Sequence, residues 1–110
     1  QAGYSNATGS GNVFLGSQAG YYETGSNKLF IDNQDRTDEA TARTNSLIYG
    51  IFDATPANQK LTINGMLNVS VLPAYDDDAG AGGGGLTTGD FYQTTGLGAI
   101  ATAGVVMVKQ

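Results

Sequence analysis

Carboxylates and tyrosines are the side chains with chemistry to offer in this 110-residue chain, which has ten acidic residues and six tyrosines. Asp76, Asp77 and Asp78 stand in a row, and Asp32, Asn33, Asp35 and Asp38 make a second oxygen-rich cluster. Clustered oxygens are what Ca²⁺ takes. Neither cluster has the alternating Asp/Asn spacing with glycine of a Ca²⁺ loop. The first reads instead as a helix N-cap beside solvated charge. The expectation is no metal and no cofactor, with Asp76, Asp77 and Asp78 the positions to inspect. Glu23 and Glu39 are the only glutamates, and glycoside hydrolysis needs two carboxyls across a sugar-binding groove. Both fall in polar stretches, and there is no Trp to stack on a sugar. His and Cys are absent too. That removes the usual zinc sites, Cys nucleophiles, Ser-His-Asp triads and His bases together. Gly82 to Gly85 is no phosphate loop, because no Gly-Lys-Ser/Thr follows it. The chain reads as a non-enzyme.

Recognition is the chemistry that remains. A tyrosine gives contact area and a hydroxyl at small entropic cost. A net charge of −5 argues against a nucleic-acid partner, which calls for a basic stripe. No apolar run approaches the roughly 18–20 residues of a membrane span, so membrane insertion is not expected. The first residue is Gln, which points to a piece of a longer protein or a processed product.

The elements that position these groups must accommodate 17 glycines. Each costs roughly 0.5–1 kcal/mol against Ala inside a regular element. Tight turns and close backbone approach explain such a count, as in β-solenoids and intertwined oligomers. An internal repeat supports this. Gln1-Ala2-Gly3-Tyr4 matches Gln18-Ala19-Gly20-Tyr21, and Thr8-Gly9-Ser10 matches Thr24-Gly25-Ser26. The strand cores Asn12-Val13-Phe14-Leu15 and Lys28-Leu29-Phe30-Ile31 follow, 16 residues apart. Val13, Leu15, Leu29 and Ile31 are expected to face inward, with Phe14 and Phe30 in equivalent places. Tyr4 and Tyr21 are expected to pack within the repeat, and Asn12 and Asn27 to satisfy turn backbone. Two units cannot close a core alone, so further repeats or other chains must complete it.

Residues 34–46 show no apolar periodicity and read as a polar loop, with Glu39 and Arg43 spaced to support one helical turn. Leu47–Phe52 reads as a buried strand. Lys60–Val69 alternates, with Leu61, Ile63, Gly65, Leu67 and Val69 on one face. Gly104 to Lys109 reads as a closing strand.

The repeat resembles the Gly-Tyr…Thr-Gly-Ser-x-Asn-Val-Phe-Ile-Gly repeats of phage tail-fibre and related virion proteins. It is similar in spirit to the head repeats of trimeric autotransporter adhesins. Ser46 to Phe52 with Ala57 to Gly65 resembles the strand pair that follows such repeats in tail fibres. Leu72-Pro73-Ala74-Tyr75, the three aspartates, Gly89 to Tyr92 and the closing strand resemble a C-terminal module of phage structural proteins. That module usually has a short helix. The glycines at 82–85 leave open a small-residue loop or a short helix packed close to an axis.

The expected fold is all-β: Gly-rich, short-strand, β-solenoid or β-prism-like layers in an intertwined homotrimer, with a small C-terminal tip module. The expected segments are a two-unit repeat (1–33), a polar loop (34–46), a strand pair (47–70) and the tip module (71–110). The resemblance implies a virion location and a structural role: the C-terminal part of a trimeric phage tail fibre or spike that attaches to a host-surface receptor, a glycan among the candidates. Its partners would be itself, other virion tail components and that receptor. A bacterial surface adhesin or filament subunit is the alternative, and an appendage-borne polysaccharide hydrolase a third. Rigid β scaffolds present binding groups on loops. Of the two candidate loops, Asp35–Asn45 and Asp76–Thr102, the second lies at the expected tip. The receptor-contact candidates are Tyr75, Phe91, Tyr92, Thr94 and Thr95.

Overall fold

Three consecutive apolar residues, bounded by turn-forming Gly or Asp-Asn, make each repeat core extend as a short strand. The computed structural model describes all residues, Gln1–Gln110. In it β1 (Val13–Leu15) pairs in parallel with β2 (Lys28–Ile31). The register sets Val13 against Leu29, Phe14 against Phe30 and Leu15 against Ile31, which is the 16-residue offset of the repeat. The turns ahead of the strands stack as well. The Gly3 N–H donates to the Ala19 carbonyl and the Ser5 N–H to the Tyr21 carbonyl. The Tyr4 and Tyr21 rings lie 4.9 Å apart and nearly parallel. Backbone conformation repeats too: φ is +61° at Gly3 and +60° at Gly20, +67° at Gly11 and +59° at Asn27.

The chain forms two units, Gln1–Leu67 and Asn68–Gln110. It is strand-rich with few helices, and neither sheet is closed. In the first unit β2 continues antiparallel to β3 (Ile48–Ile51), and β3 to β4 (Lys60–Ile63), in the order β1-β2-β3-β4. The core holds Ala19, Phe30, Ala42 and Tyr49, with Phe14 and Ile51 packed against it. Phe30 is fully buried, its ring 5.8 Å from Phe14 and 5.1 Å from Tyr49. Gly3 and Gly20 flank the Phe14 ring so closely that a Cβ at either would overlap it.

Three expectations need correction here. Val13, Leu15, Leu29 and Ile31 do not face the core. Side chains alternate along a strand, so burying the two phenylalanines sends the aliphatic neighbours to the opposite face. Residues 34–46 are not all loop. Glu39–Asn45 is a helix, α1, capped by the Asp38 carboxylate accepting from the Thr41 N–H, with Ala42 buried beneath it. The strand expected over Lys60–Val69 stops at Ile63, because that residue lies opposite Ile48, the first residue of its antiparallel partner β3. Beyond it Met66, Leu67, Val69 and Val71 are exposed, Met66 at 99%.

The second unit has β5 (Ala74–Tyr75) parallel to β6 (Phe91–Thr95), and β6 antiparallel to β7 (Ala103–Val108). A short helix, α2 (Asp78–Gly83), precedes β6 despite its glycines. The Asp77 carboxylate caps it by accepting from the Gly80 N–H, and Ala81 is buried.

Candidate functional site

The carboxylates resolve into separate structural jobs. Asp76 accepts from the Thr95 hydroxyl, Asp77 caps α2, and Asp78 takes Lys109 Nζ at 2.8 Å and the Gln110 N–H at 2.8 Å. In the first cluster Asp32 binds Arg36 through both oxygens, Asp35 accepts from the Thr37 N–H, and Asp38 caps α1. No set of three or more carboxylates converges on a point that holds a metal ion. The Arg36 bonds hold Asp32 below the usual carboxylate range, against a smaller penalty from burial.

Glu23 is the group whose placement the sequence concealed. It lies in the turn before the second Thr-Gly-Ser and is fully buried. Arg43 on α1 reaches it with Nε at 2.9 Å and a terminal nitrogen at 2.7 Å, and the Gly25 N–H adds a bond at 2.7 Å. Burial favours the neutral acid, but these donors prevail and its pKa is lowered. Arg43 also binds Glu39 at 2.9 Å, whose same oxygen accepts from the Thr24 N–H and hydroxyl. The two glutamates therefore share one arginine and pin α1 to the repeat. A carboxyl closed off in this way is not placed to protonate a substrate. Its signal in sequence was faint: one Glu in a turn, 20 residues from its cation.

The surface left for function is apolar. Val13, Leu29, Gly50 and Leu61 form one row across the first sheet, and Leu15, Ile31, Ile48 and Ile63 the next. No charged or polar side chain interrupts these two rows. Leu15 is 60% exposed and Leu61 64%. Gly50 leaves a notch between Leu29 and Leu61, part of a groove of about 340 Å³. Leu15, Ile31 and Leu47 line another of about 310 Å³.

The receptor-contact candidates divide by strand alternation. Tyr92 and Thr94 are buried, so they belong to the interior of the second unit and are not available as surface contacts. The Tyr92 ring meets Tyr75 edge-on, centroids 6.2 Å apart, and the Thr94 hydroxyl donates to the Thr102 carbonyl. Phe91 is exposed, while Tyr75 and Thr95 are half-buried. Phe91 lies opposite Val108 and Gln93 opposite Val106, so Phe91, Val106 and Val108 make a strip of exposed apolar residues on the outer face of β6 and β7, interrupted by Gln93.

Asn12 serves the stacking of the repeats. Its side-chain nitrogen donates to the Gly25 carbonyl and its oxygen accepts from the Lys28 N–H. Compared with known proteins, the chain matches no family model, no curated protein and no solved structure.

Proposed function

We propose that this chain is a non-enzymatic structural protein, the C-terminal part of a homotrimeric phage tail fibre or spike, and that it serves host-receptor attachment. The observation that carries the reading is the uninterrupted aliphatic face of the first sheet, whose other face already has a core. Such a face on a chain of net charge −5 is where like-charged copies approach without repulsion. Exposed apolar patches above roughly 300–600 Å² mark interaction sites. Around a threefold axis each copy sets this face against two neighbours, in β-prism-like layers continued by the stacked repeats. The resemblance to virion repeats supplies the biological setting. Attachment then falls to the second unit, through Phe91, Tyr75 and Thr95, with weak single contacts added by avidity.

Solution mass tests the assembly: three times 11.3 kDa is expected, and a monodisperse folded monomer overturns it. Imaging the full-length protein on its parent particle tests the setting. Label at a virion tail supports the reading, and label on a bacterial envelope replaces it with a surface adhesin.

A further inference from the structure

The second repeat holds the first through a specific set of groups. The Ala19 and Tyr21 carbonyls accept from Gly3 and Ser5, and the Gly25 carbonyl accepts from the Asn6 and Asn12 side chains. The Ser26 hydroxyl accepts from the Ser10 N–H. The Asn27 N–H donates to the Ser10 carbonyl, Lys28 N–H to the Asn12 side chain, and Asp32 N–H to the Leu15 carbonyl. Tyr21 offers its ring to Tyr4.

Carried back by the repeat offset, each of these groups has a counterpart on the first repeat. The carbonyls of Ala2, Tyr4 and Gly9 and the Ser10 hydroxyl accept nothing, and the N–H groups of Gly11, Asn12 and Gly16 donate to nothing. β1 has a partner on one side only. Tyr4 is 62% exposed, and the face of its ring away from Tyr21 is a stacking platform without an occupant. The matching φ values at Gly3 and Gly20, and at Gly11 and Asn27, give the two surfaces the same backbone shape.

We propose that this open edge is a docking site for one more repeat unit of the same pattern, carried in cis ahead of Gln1. The occupant is defined by the chemistry it must satisfy. It needs a Gly-Tyr turn whose ring covers Tyr4, a Ser whose N–H reaches Ser10, and an Asn that bridges the Gly9 carbonyl and the Asn12 N–H. A parallel three-residue apolar strand with a central Phe completes it. Adding a strand to a sheet edge satisfies main-chain groups and leaves specificity to the side chains between them. The inference goes beyond the fibre reading and does not require it, since it needs only the equivalence of the two repeats.

The test adds a second copy of Gln1–Ser17 ahead of Gln1 in the full chain and follows amide exchange by NMR. Exchange at Gly11, Asn12 and Gly16 should slow by about tenfold or more as these groups gain acceptors. Asn12→Leu within the added copy should restore fast exchange at Asn12. A scrambled unit of the same composition should leave all three amides fast. Unchanged exchange with the true unit overturns the proposal, as does equal slowing with the scrambled one. A doubling of the number of chains per particle would place the docking between copies and overturn the cis assignment.

Discussion

The two units use one plan at different depths. Each begins with a parallel strand pair, extends it antiparallel, and places a short Asp-capped helix whose sequence neighbourhood supplies an ion pair. In the first, the helix is tied by a carboxylate with no solvent access, and two aromatic rings are buried with Phe14 beside them. In the second, Tyr92 is the one large buried ring, the helix is half glycine, and the Lys109–Asp78 pair leaves Asp78 substantially exposed. Units of about 40 residues are at the limit of independent folding. The contrast teaches that the first unit is held by a buried ring cluster and a buried ion pair, whereas the C-terminal unit rests on small local devices.

Removing the deepest ring should give the largest effect. Phe30→Ala should cost about 3–5 kcal/mol in the urea unfolding of the first unit and leave the Tyr92 ring signals of the second unchanged. Simultaneous loss of both sets of signals would show that the units are not separable. Arg43→Ala comes next, at about 3 kcal/mol, because it strands a buried carboxylate. The arginine side chain is one-third exposed, which holds the effect at the low end of that class. Arg36→Ala should cost a comparable amount, because the Asp32 side chain it strands is only 3% exposed; a negligible loss there would mean that the bridge to Glu39, and not burial, sets the Arg43 effect.

Acid should weaken both units, since Asp78 and Asp90 of the second are also held below the usual carboxylate range, but the buried carboxylates lie in the first. Glu23 and Asp32 have folded pKa values below their unfolded ones. Their contribution is complete above the ordinary carboxylate range of about 4 and is lost as pH falls through the folded values. The denaturation midpoint of the first unit should therefore fall steadily from pH 5 to the folded range, and Glu23→Gln should flatten that slope.

The smaller effects belong to the second unit. Asp77→Ala should destabilise it by about 1 kcal/mol through loss of the cap. Gly83→Ala should stabilise it by about 0.5–1 kcal/mol, since a Cβ there meets nothing and φ is not positive. A null result at Gly83 would mean that the helix is held by its ends alone.

Much of the first unit was legible because its information is local and repeated. The 16-residue offset became the parallel register, and the Gly11/Asn27 alignment became a shared left-handed turn. Which face turns inward was not legible. Three apolar residues in a row are apolar on both faces, and only the bulk of Phe14 and Phe30 beside α1 decides between them. Helix α1 was hidden for a related reason. Its hold on the fold is a small Ala42 and an ion pair to Glu23, neither of which leaves a periodic trace. The strand after Lys60 was overextended because alternation continued after its hydrogen-bonding partner had run out. Among the candidate contacts, Tyr92 and Phe91 looked alike in sequence. Their adjacency on one strand is the reason that one is buried and the other exposed.

The parallel Tyr4–Tyr21 stack also has an optical meaning. The rings are 4.9 Å apart at 10°, and Tyr22 meets Tyr21 edge-on at the same separation. The chain has no Trp to drain or mask tyrosine absorption. Transition dipoles held this close couple, and the crossed Tyr21–Tyr22 pair gives the coupled set a handedness, so the near-ultraviolet circular dichroism of the native chain should exceed that of six independent tyrosines. That excess is an intrinsic colour of the repeat. It needs no label, it shrinks when the turns separate, and Tyr21→Phe, which breaks both pairs, should remove it without touching the sheet.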